Sequence, residues 1–175
     1  MSEVKVNTLI STEEIEKRVS ELGASITEHY RGKDLCVIGV LNGAYVFMAD
    51  LVRKIDLPIT IDFIRAKSYV GKDTTGDPKF LLDTTTDFEG KDVLIVEDIL
   101  DTGITLSYIT RSFLKRNANS VAIAVLLDKP ARRRADIKAD YRGFEIEDRF
   151  VVGYGLDYNE KYRNLPFVAE LSMYE

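Results

Sequence analysis

VLIVEDILDTGITL, at residues 93–106, is an apolar run that leads straight into acidic residues. Its first four residues are apolar on both faces of an extended chain, which is typical of a central strand in a parallel sheet. Carboxylates follow at Glu97, Asp98 and Asp101, and the pattern predicts that they emerge at the carboxyl end of that strand. Because open parallel sheets bind ligands beyond this edge, the segment predicts a polar site there.

The acids of this segment and the helix start that follows them indicate what the site binds. Three carboxylates within five residues repel one another, and a close pair costs about 4 kcal/mol at ~4 Å and an effective dielectric of ~20. Mg²⁺ or sugar hydroxyls would offset this repulsion. Residues 102–105, Thr-Gly-Ile-Thr, open a helix whose free N–H groups and positive dipole end favour an anion. The segment therefore offers acids for hydroxyls or metal and a cradle for phosphate, which together suit a phosphorylated sugar.

Strand and helix patterns alternate along much of the chain. Ser11 and Glu14 predict a capping box at the start of a first helix, and apolar runs at 35–40, 59–66 and 120–129 fit further strands. This order predicts an α/β fold, with a mostly parallel central sheet flanked by helices and a small cap, or hood, formed by the terminal segments. We expect one domain over residues 1–175, with a core at about 30–140 and a hood at about 1–12 and 140–175. Residues 67–79, KSYVGKDTTGDPK, are polar and predict an exposed, mobile loop.

Composition narrows the classes of function. No run approaches the ~18 apolar residues of a membrane span, and the start of the chain lacks the apolar region of a secretory signal. We therefore expect a cytoplasmic protein with no membrane contact, in which the single cysteine, Cys36, is buried and inert. The net charge of −5 argues against nucleic acid as the main partner. One basic cluster, KPARRRADIK at 129–138, fits either a solvated loop or helix start, or a phosphate or partner site.

Five segments resemble motifs of a known family. Residues 93–106 resemble the phosphoribosyl pyrophosphate-binding signature of the purine phosphoribosyltransferases. Residues 37–51, VIGVLNGAYVFMADL, are similar to the pyrophosphate-contacting loop of this family and the helix after it. Residues 67–69, KSY, resemble the start of the family's mobile loop, and residues 126–130, LLDKP, resemble the segment with a purine-contacting lysine. DRFVVGYGLDYNEKYRNLP at 148–166 resembles the base-binding segment of the hypoxanthine-guanine members. The segments occur in family order from about residue 35 to 166 and identify the chain as a member of this family.

The resemblance implies a reaction and its participants. The family transfers 5-phosphoribose from phosphoribosyl pyrophosphate to a purine nitrogen and releases pyrophosphate, with Mg²⁺ holding the pyrophosphate. For this chain it implies hypoxanthine and guanine as acceptors, a Rossmann-like type I phosphoribosyltransferase fold, and a homo-oligomer of two or four subunits. The alternative function is an RNA-binding regulator of pyrimidine operons on the same fold, which would need a basic face. A phosphatase with a strand-end aspartate nucleophile would want Asp-x-Asp, whereas the chain has Asp98-x-x-Asp101.

The resemblance also assigns roles to individual residues. Asp101 matches the general base. The ribose-binding residues are Glu97 and Asp98, and these two with Asp157 face the metal. The 5′-phosphate-binding residues are Asp101, Thr102, Gly103, Ile104 and Thr105. The pyrophosphate-binding residues are Leu41, Asn42, Gly43, Ser68, Tyr69 and Arg163. The purine-binding residues are Lys129, which donates to the 6-oxo group, Phe150, which stacks on the ring, Val151 and Asp157.

Two positions depart from the family pattern. Asn42-Gly43-Ala44 stands where many relatives carry Lys-Gly-Gly, and Ile104 stands where relatives can carry lysine. Both departures remove a positive charge near the phosphates but leave the backbone donors, so they bear on substrate affinity more than on reaction type. The family often has a cis peptide that would fall between Leu41 and Asn42, and we expect it here.

Overall fold

The computed structural model describes residues 4–67 and 79–173. Along the chain it contains β1 (Val4–Ile10), α1 (Thr12–His29), β2 (Leu35–Val40), α2 (Tyr45–Val52), β3 (Thr60–Lys67), β4 (Lys79–Leu82), β5 (Asp92–Leu100), α3 (Ile104–Lys115), β6 (Ser120–Asp128), a short 3-10 helix (Pro130–Arg132), β7 (Tyr141–Glu145), β8 (Val151–Val152) and β9 (Val168–Met173). The predicted mobile loop lies outside the described residues except for Lys67 and Lys79, which end β3 and begin β4.

The large sheet has the strand order β4-β3-β2-β5-β6-β7. All neighbouring pairs are parallel except β3 and β4, which pair antiparallel at one edge. The mostly parallel sheet predicted from the alternating pattern is therefore confirmed. Because β2, β5 and β6 run in the same direction, their carboxyl ends meet at one edge. The residues that follow them, at 41–43, 101–103 and 129, lie along that edge.

Helices cover both faces of this sheet. Helices α1 and α2 pack with β2 and β5 in one apolar cluster, and α3 packs on the opposite face through Leu106, Ile109 and Phe113. Helix α1 begins at the predicted capping box: the Ser11 hydroxyl accepts from Glu14 N–H at 3.2 Å, and Glu14 Oε2 accepts from Ser11 N–H at 2.8 Å. Among the described residues, no helix is both long enough and apolar enough to cross a membrane.

The terminal segments form a second, three-stranded sheet in the order β1-β9-β8. Strand β1 pairs antiparallel with β9, and β9 pairs antiparallel with β8. Strand β7 follows the boundary drawn at about residue 140 from the sequence but pairs with β6 at the edge of the large sheet, where Tyr141 is buried and Arg142 and Glu145 are exposed. The small sheet brings residues 148–166 back over the carboxyl edge of the large one.

Strand β3 leaves two large apolar side chains exposed. The sequence alternates apolar Ile61 and Phe63 with Asp62, yet these two side chains are 45% and 37% exposed, while Ile64 is buried. The reason is that α2 packs with β2 and β5 and leaves β3 near the sheet edge partly uncovered. Cys36 in β2 is buried as expected, and burial raises the pKa of its thiol to about 11.

Candidate active site

The segment from β5 into α3 lines a cavity of about 200 Å³ at the carboxyl edge of the large sheet. The residues around this cavity are Glu97, Asp98, Ile99, Leu100, Asp101, Thr102, Gly103, Thr105 and Leu106. The structure therefore brings together the acids and most of the phosphate-loop residues predicted from the sequence. Ile104 does not line this cavity, and its side chain is 46% exposed.

Glu97 and Asp98 form an electrostatically strained pair. Both residues are partly accessible, yet protein atoms crowd their carboxylates. Burial and then the neighbouring charge of Asp98 raise the pKa of Glu97 well above its usual value. Burial also raises the pKa of Asp98, against the opposing effect of its hydrogen bonds and of Arg163. A cation or hydroxyl donors would stabilise acids held in this way.

Gly103 shapes the turn from β5 into α3. It precedes the helix with a φ of 79°, in the left-handed region that glycine tolerates. A Cβ at this position would lie 2.5 Å from Ile137 Cγ2, so packing also requires glycine. Ser107 N–H donates to the Gly103 carbonyl at 2.9 Å, which marks the first turn of the helix. This turn presents N–H groups that have no intrahelical partner, as an anion site requires.

Asp101 carries a buried acceptor beside a cation. Arg132 Nε lies 2.7 Å from Asp101 Oδ1, but Oδ1 accepts no hydrogen bond and is shielded from solvent. The contact with Arg132 is therefore an ion pair whose geometry leaves the oxygen without a donor. A buried acceptor of this kind gains most from a ligand that brings its own N–H or O–H.

The residues after β2 lie against Asp98 and the carboxyl-terminal segment. The Leu41–Asn42 peptide is cis, as expected. A Cβ on Gly43 would lie 1.7 Å from Asp98 Oδ2, and one on Gly155 would lie 2.2 Å from the Gly43 carbonyl oxygen. These close approaches place the loop predicted to bind pyrophosphate next to Asp98, one of the two acids predicted to bind ribose.

Arg163 joins this group from the carboxyl-terminal side. Its Nη1 donates to the Gly155 carbonyl at 2.8 Å, and its Nη2 lies 2.8 Å from Asp157 Oδ1. Arg163 and Asp157, predicted for pyrophosphate and for purine and metal, are therefore ion-paired. Ser68 and Tyr69 lie outside the described residues.

The predicted purine residues cluster where β6 ends near β8. Lys129 is buried, and its Nζ donates to the Arg149 carbonyl at 2.5 Å and lies 3.7 Å from Asp148 Oδ1. The adjacent Phe150 is 52% exposed and meets the Tyr158 ring edge-on, with centroids 5.6 Å apart. Val151 begins β8. A buried ammonium next to an exposed aromatic ring suits a flat, polar heterocycle.

The sequence did not reveal the part that the basic cluster plays in this site. Arg132 contacts the Asp101 carboxylate, and Arg133 Nη1 donates to the Asp101 carbonyl at 2.9 Å. Arg133 also pairs with Asp128, a buried acid at the end of β6. The only signal was that the cluster begins at Lys129, itself a predicted site residue.

Comparison with known proteins defines the family. A model of the phosphoribosyl transferase domain matches residues 6–159. The chain belongs to the phosphoribosyltransferase family. It is 53% identical over 165 residues to the hypoxanthine-guanine phosphoribosyltransferase of Bacillus subtilis (strain 168), covering 93% of this chain and 91% of that protein.

Two solved phosphoribosyltransferases have similar structures. One, a hypoxanthine phosphoribosyltransferase from Staphylococcus aureus, has a TM-score of 0.91 at 48% identity, over 95% of this chain and 91% of its own. The other, a hypoxanthine-guanine phosphoribosyltransferase from Bacillus anthracis, has a TM-score of 0.91 at 43% identity, over 97% of this chain and 100% of its own. The type I phosphoribosyltransferase fold expected from the sequence is thus confirmed.

Proposed function

We propose that this chain transfers 5-phosphoribose from phosphoribosyl pyrophosphate to hypoxanthine, giving IMP, and to guanine, giving GMP, with release of pyrophosphate. One observation carries the proposal: a single cavity is lined by an acid pair, by a helix-terminal anion loop and, between the two, by Asp101. The similarity to proteins named hypoxanthine-guanine phosphoribosyltransferase supports this purine salvage activity.

The two ends of the cavity-lining segment hold the sugar phosphate. The 5′-phosphate accepts hydrogen bonds from backbone N–H groups of residues 101–105, and the Thr102 and Thr105 hydroxyls add donors. Glu97 and Asp98 face the ribose hydroxyls. As the bond from the ribose carbon to the pyrophosphate oxygen breaks, that carbon becomes oxocarbenium-like. The nearby carboxylates stabilise its developing positive charge.

Asp101 acts as the general base. The purine ring nitrogen forms the new bond to the ribose carbon, and the purine loses a ring proton as this bond forms. The Asp101 carboxylate takes that proton, because Asp101 lines the cavity between the acid pair and the helix-terminal loop, within reach of the base bound beside the ribose. The electron pair of the broken bond leaves with pyrophosphate.

Residues from two segments bind the purine and select it. The Lys129 ammonium donates to the 6-oxo group of hypoxanthine or guanine, which adenine lacks, and the exposed Phe150 ring stacks on the base. The Val151 backbone meets the base edge. Asp157 lies near the 2-position, where its charge disfavours xanthine because xanthine ionises easily.

The carboxylates of the site fit Mg²⁺. Mg²⁺ commonly takes one or two protein carboxylates and completes its shell with substrate phosphates and water. This matches the described residues, in which no cluster of three or more ligating side chains forms a metal cage. Glu97 and Asp98 would hold one ion and Asp157 a second, and the bound metal would neutralise charge on the leaving pyrophosphate. The backbone at 41–43 and the fork of Arg163 contact the same group, and Ser68 and Tyr69 are expected to do so.

Product stoichiometry tests the reaction type. The purified chain is incubated with hypoxanthine, phosphoribosyl pyrophosphate and Mg²⁺, and IMP and pyrophosphate are both quantified. We expect equimolar products, loss of both on chelation, and recovery when excess Mg²⁺ is added. Absence of IMP in the presence of Mg²⁺ would contradict the proposal.

The RNA-binding alternative finds less support. A regulator that binds RNA needs basic side chains free to meet phosphates. Here Arg132 contacts Asp101 and Asp148, and Arg133 contacts Asp128. These two arginines of the basic cluster are therefore paired with acids of this chain and are not free to meet phosphates.

Ile104 provides a test of the phosphate loop. Replacing Ile104 by lysine places a cation at the first turn of α3, beside the proposed 5′-phosphate, where a surface charge pair contributes about 0.2–1 kcal/mol. We expect Ile104→Lys to lower the KM for phosphoribosyl pyrophosphate by about two- to fivefold at low salt, with the gain shrinking as salt rises. The control is Leu114→Lys, at an exposed position in the last turn of the same helix. An equal effect of both variants would place the phosphate elsewhere.

An exposed apolar patch supports a homo-oligomer of two or four subunits. Ile61 and Phe63 on β3 and Tyr45 on α2 are 37–45% exposed. Phe63 lies close to Met48 of α2, since a Cβ on the intervening Gly39 would meet both side chains. Large apolar groups exposed on the same part of a surface, such as Ile61 and Phe63 on one face of β3, are typical of protein interfaces.

A charge placed in this patch tests the assembly. We expect Ile61→Asp to reduce the mass measured by light scattering to that of a smaller species, because a buried unpaired carboxylate is costly. Leu114→Asp, at a similarly exposed position on α3, is the matched control. A monomeric wild-type chain, or an unchanged mass for Ile61→Asp, would contradict the assignment of the interface.

A further inference from the structure

Arg133 connects the end of β6 to the loop that follows β5. Its Nη1 donates to the Asp101 carbonyl oxygen at 2.9 Å, and its Nη2 donates to the Asp128 carboxylate. The Arg133 side chain is 17% exposed and that of Asp128 is 9% exposed. A pair this shielded is screened by salt much less than a surface pair. Neither group has a part in the reaction steps described above.

Backbone donors extend the same connection. Arg134 N–H and Ala135 N–H donate to the Thr102 carbonyl at 2.9 and 3.1 Å, and Lys129 N–H donates to the Leu100 carbonyl at 2.9 Å. The carbonyls of three consecutive residues, 100–102, therefore all point toward the segment at 129–135. Within residues 4–67 and 79–173, a side chain holds one of these carbonyls, that of Asp101.

The direction of these carbonyls also determines where the N–H groups of the same peptides point. In a trans peptide the C=O and the following N–H point in opposite directions, and the cis peptide that the described residues contain lies at Leu41–Asn42. With the Asp101 and Thr102 carbonyls held by the basic segment, the N–H groups of Thr102 and Gly103 point away from it. Thr102 and Gly103 both line the cavity.

We propose that Arg133 is a positioning residue that orients the Asp101–Thr102 peptide so that its N–H faces the 5′-phosphate. Asp128 fixes the guanidinium by occupying its second nitrogen. Arg142 Nη1, 3.5 Å from the other Asp128 oxygen and half exposed, adds a weaker contact. The identity of the phosphate-bearing substrate rests on the proposed function, but the orientation of the peptide does not.

The test separates phosphate binding from purine binding. Arg133→Met keeps the methylenes that pack beside Gly103 and removes both donors. We expect the KM for phosphoribosyl pyrophosphate and the dissociation constant of ribose 5-phosphate, measured by calorimetry, to rise by about tenfold, which is the scale for a lost charged hydrogen bond. The KM for hypoxanthine should change by less than about twofold. A general loss of structure would instead raise all of these constants together.

Conservative variants distinguish orientation from charge. Arg133→Lys keeps the charge, but a single ammonium cannot reproduce the fork that reaches the carbonyl and Asp128 together, so we expect partial recovery of affinity. Asp128→Asn should give a smaller loss with the same selectivity, and it decides the matter if Arg133→Met does not fold. Arg111→Met, at an exposed position on α3, is the control and should match the wild type.

Results that overturn the role of Arg133 differ from results that overturn the proposed reaction. Full recovery by Arg133→Lys, an unchanged ribose 5-phosphate affinity in Arg133→Met, or equal losses for both substrates would overturn the inference. If the wild type makes no IMP, the proposed function fails, but ribose 5-phosphate binding still decides the role of Arg133. A wild type that neither makes IMP nor binds ribose 5-phosphate would overturn both.

Discussion

Asp101→Asn should lower the turnover number by about 10²- to 10⁴-fold, the usual contribution of a general base. The amide keeps the shape of the side chain but cannot take the purine proton. The phosphate loop should keep its geometry, because Asp101 contributes to it through its carbonyl, which Arg133 holds. We therefore expect the KM for phosphoribosyl pyrophosphate to stay within about threefold of the wild type while kcat falls.

Steady-state kinetics with both substrates varied measures this split. Asp136→Asn, an exposed change in the basic segment, is the matched control and should leave both constants unchanged. If kcat is unchanged in Asp101→Asn, Asp101 is not the base. If kcat is retained and the KM for phosphoribosyl pyrophosphate rises, the side chain serves binding alone.

Lys129→Met should lower kcat/KM for hypoxanthine and guanine by about 100-fold. The methionine is close in length and apolar, so it leaves both the 6-oxo group of the purine and the Arg149 carbonyl without their donor. A buried acceptor left unpaired costs more than a hydrogen bond lost to solvent, and a charged donor contributes about 1.5–3 kcal/mol. Discrimination against adenine should fall, because the 6-position is no longer read by an ammonium.

The measurement compares kcat/KM for hypoxanthine and adenine in Lys129→Met and in Lys138→Met, an exposed lysine in the same segment. Binding of ribose 5-phosphate should be preserved in both variants, which shows that the phosphate loop is intact. An equal loss for hypoxanthine and adenine would mean that Lys129 supports the fold and does not select the base.

Local signals in the sequence account for the fold. The apolar residues 93–96, followed by acids and a glycine, predicted a central strand, a polar edge and a helix start, and β5 and α3 have this form. The capping box at Ser11 was equally local. The exposure of Ile61 and Phe63 was not predictable, because alternation gives the two faces of a strand but not whether a helix covers each one.

The sequence predicted the site less completely than the fold, because the contacts it did not reveal join residues that are far apart in the sequence. Arg132 and Arg133 reach Asp101 only because β5 and β6 are adjacent and in register, with Leu100 opposite Asp128. No spacing in the sequence reveals that register. The burial of Lys129 has the same origin, since the end of β6 places it between the Leu100 carbonyl at the end of β5 and the Arg149 carbonyl.

We propose above that this chain binds a 6-oxopurine and joins it to 5-phosphoribose. The most direct test is kcat/KM for hypoxanthine, guanine, xanthine and adenine, each with saturating phosphoribosyl pyrophosphate and Mg²⁺. We predict that hypoxanthine and guanine react well, while xanthine and adenine react poorly or not at all. A chain that prefers adenine, or that converts none of the four bases, would contradict the account.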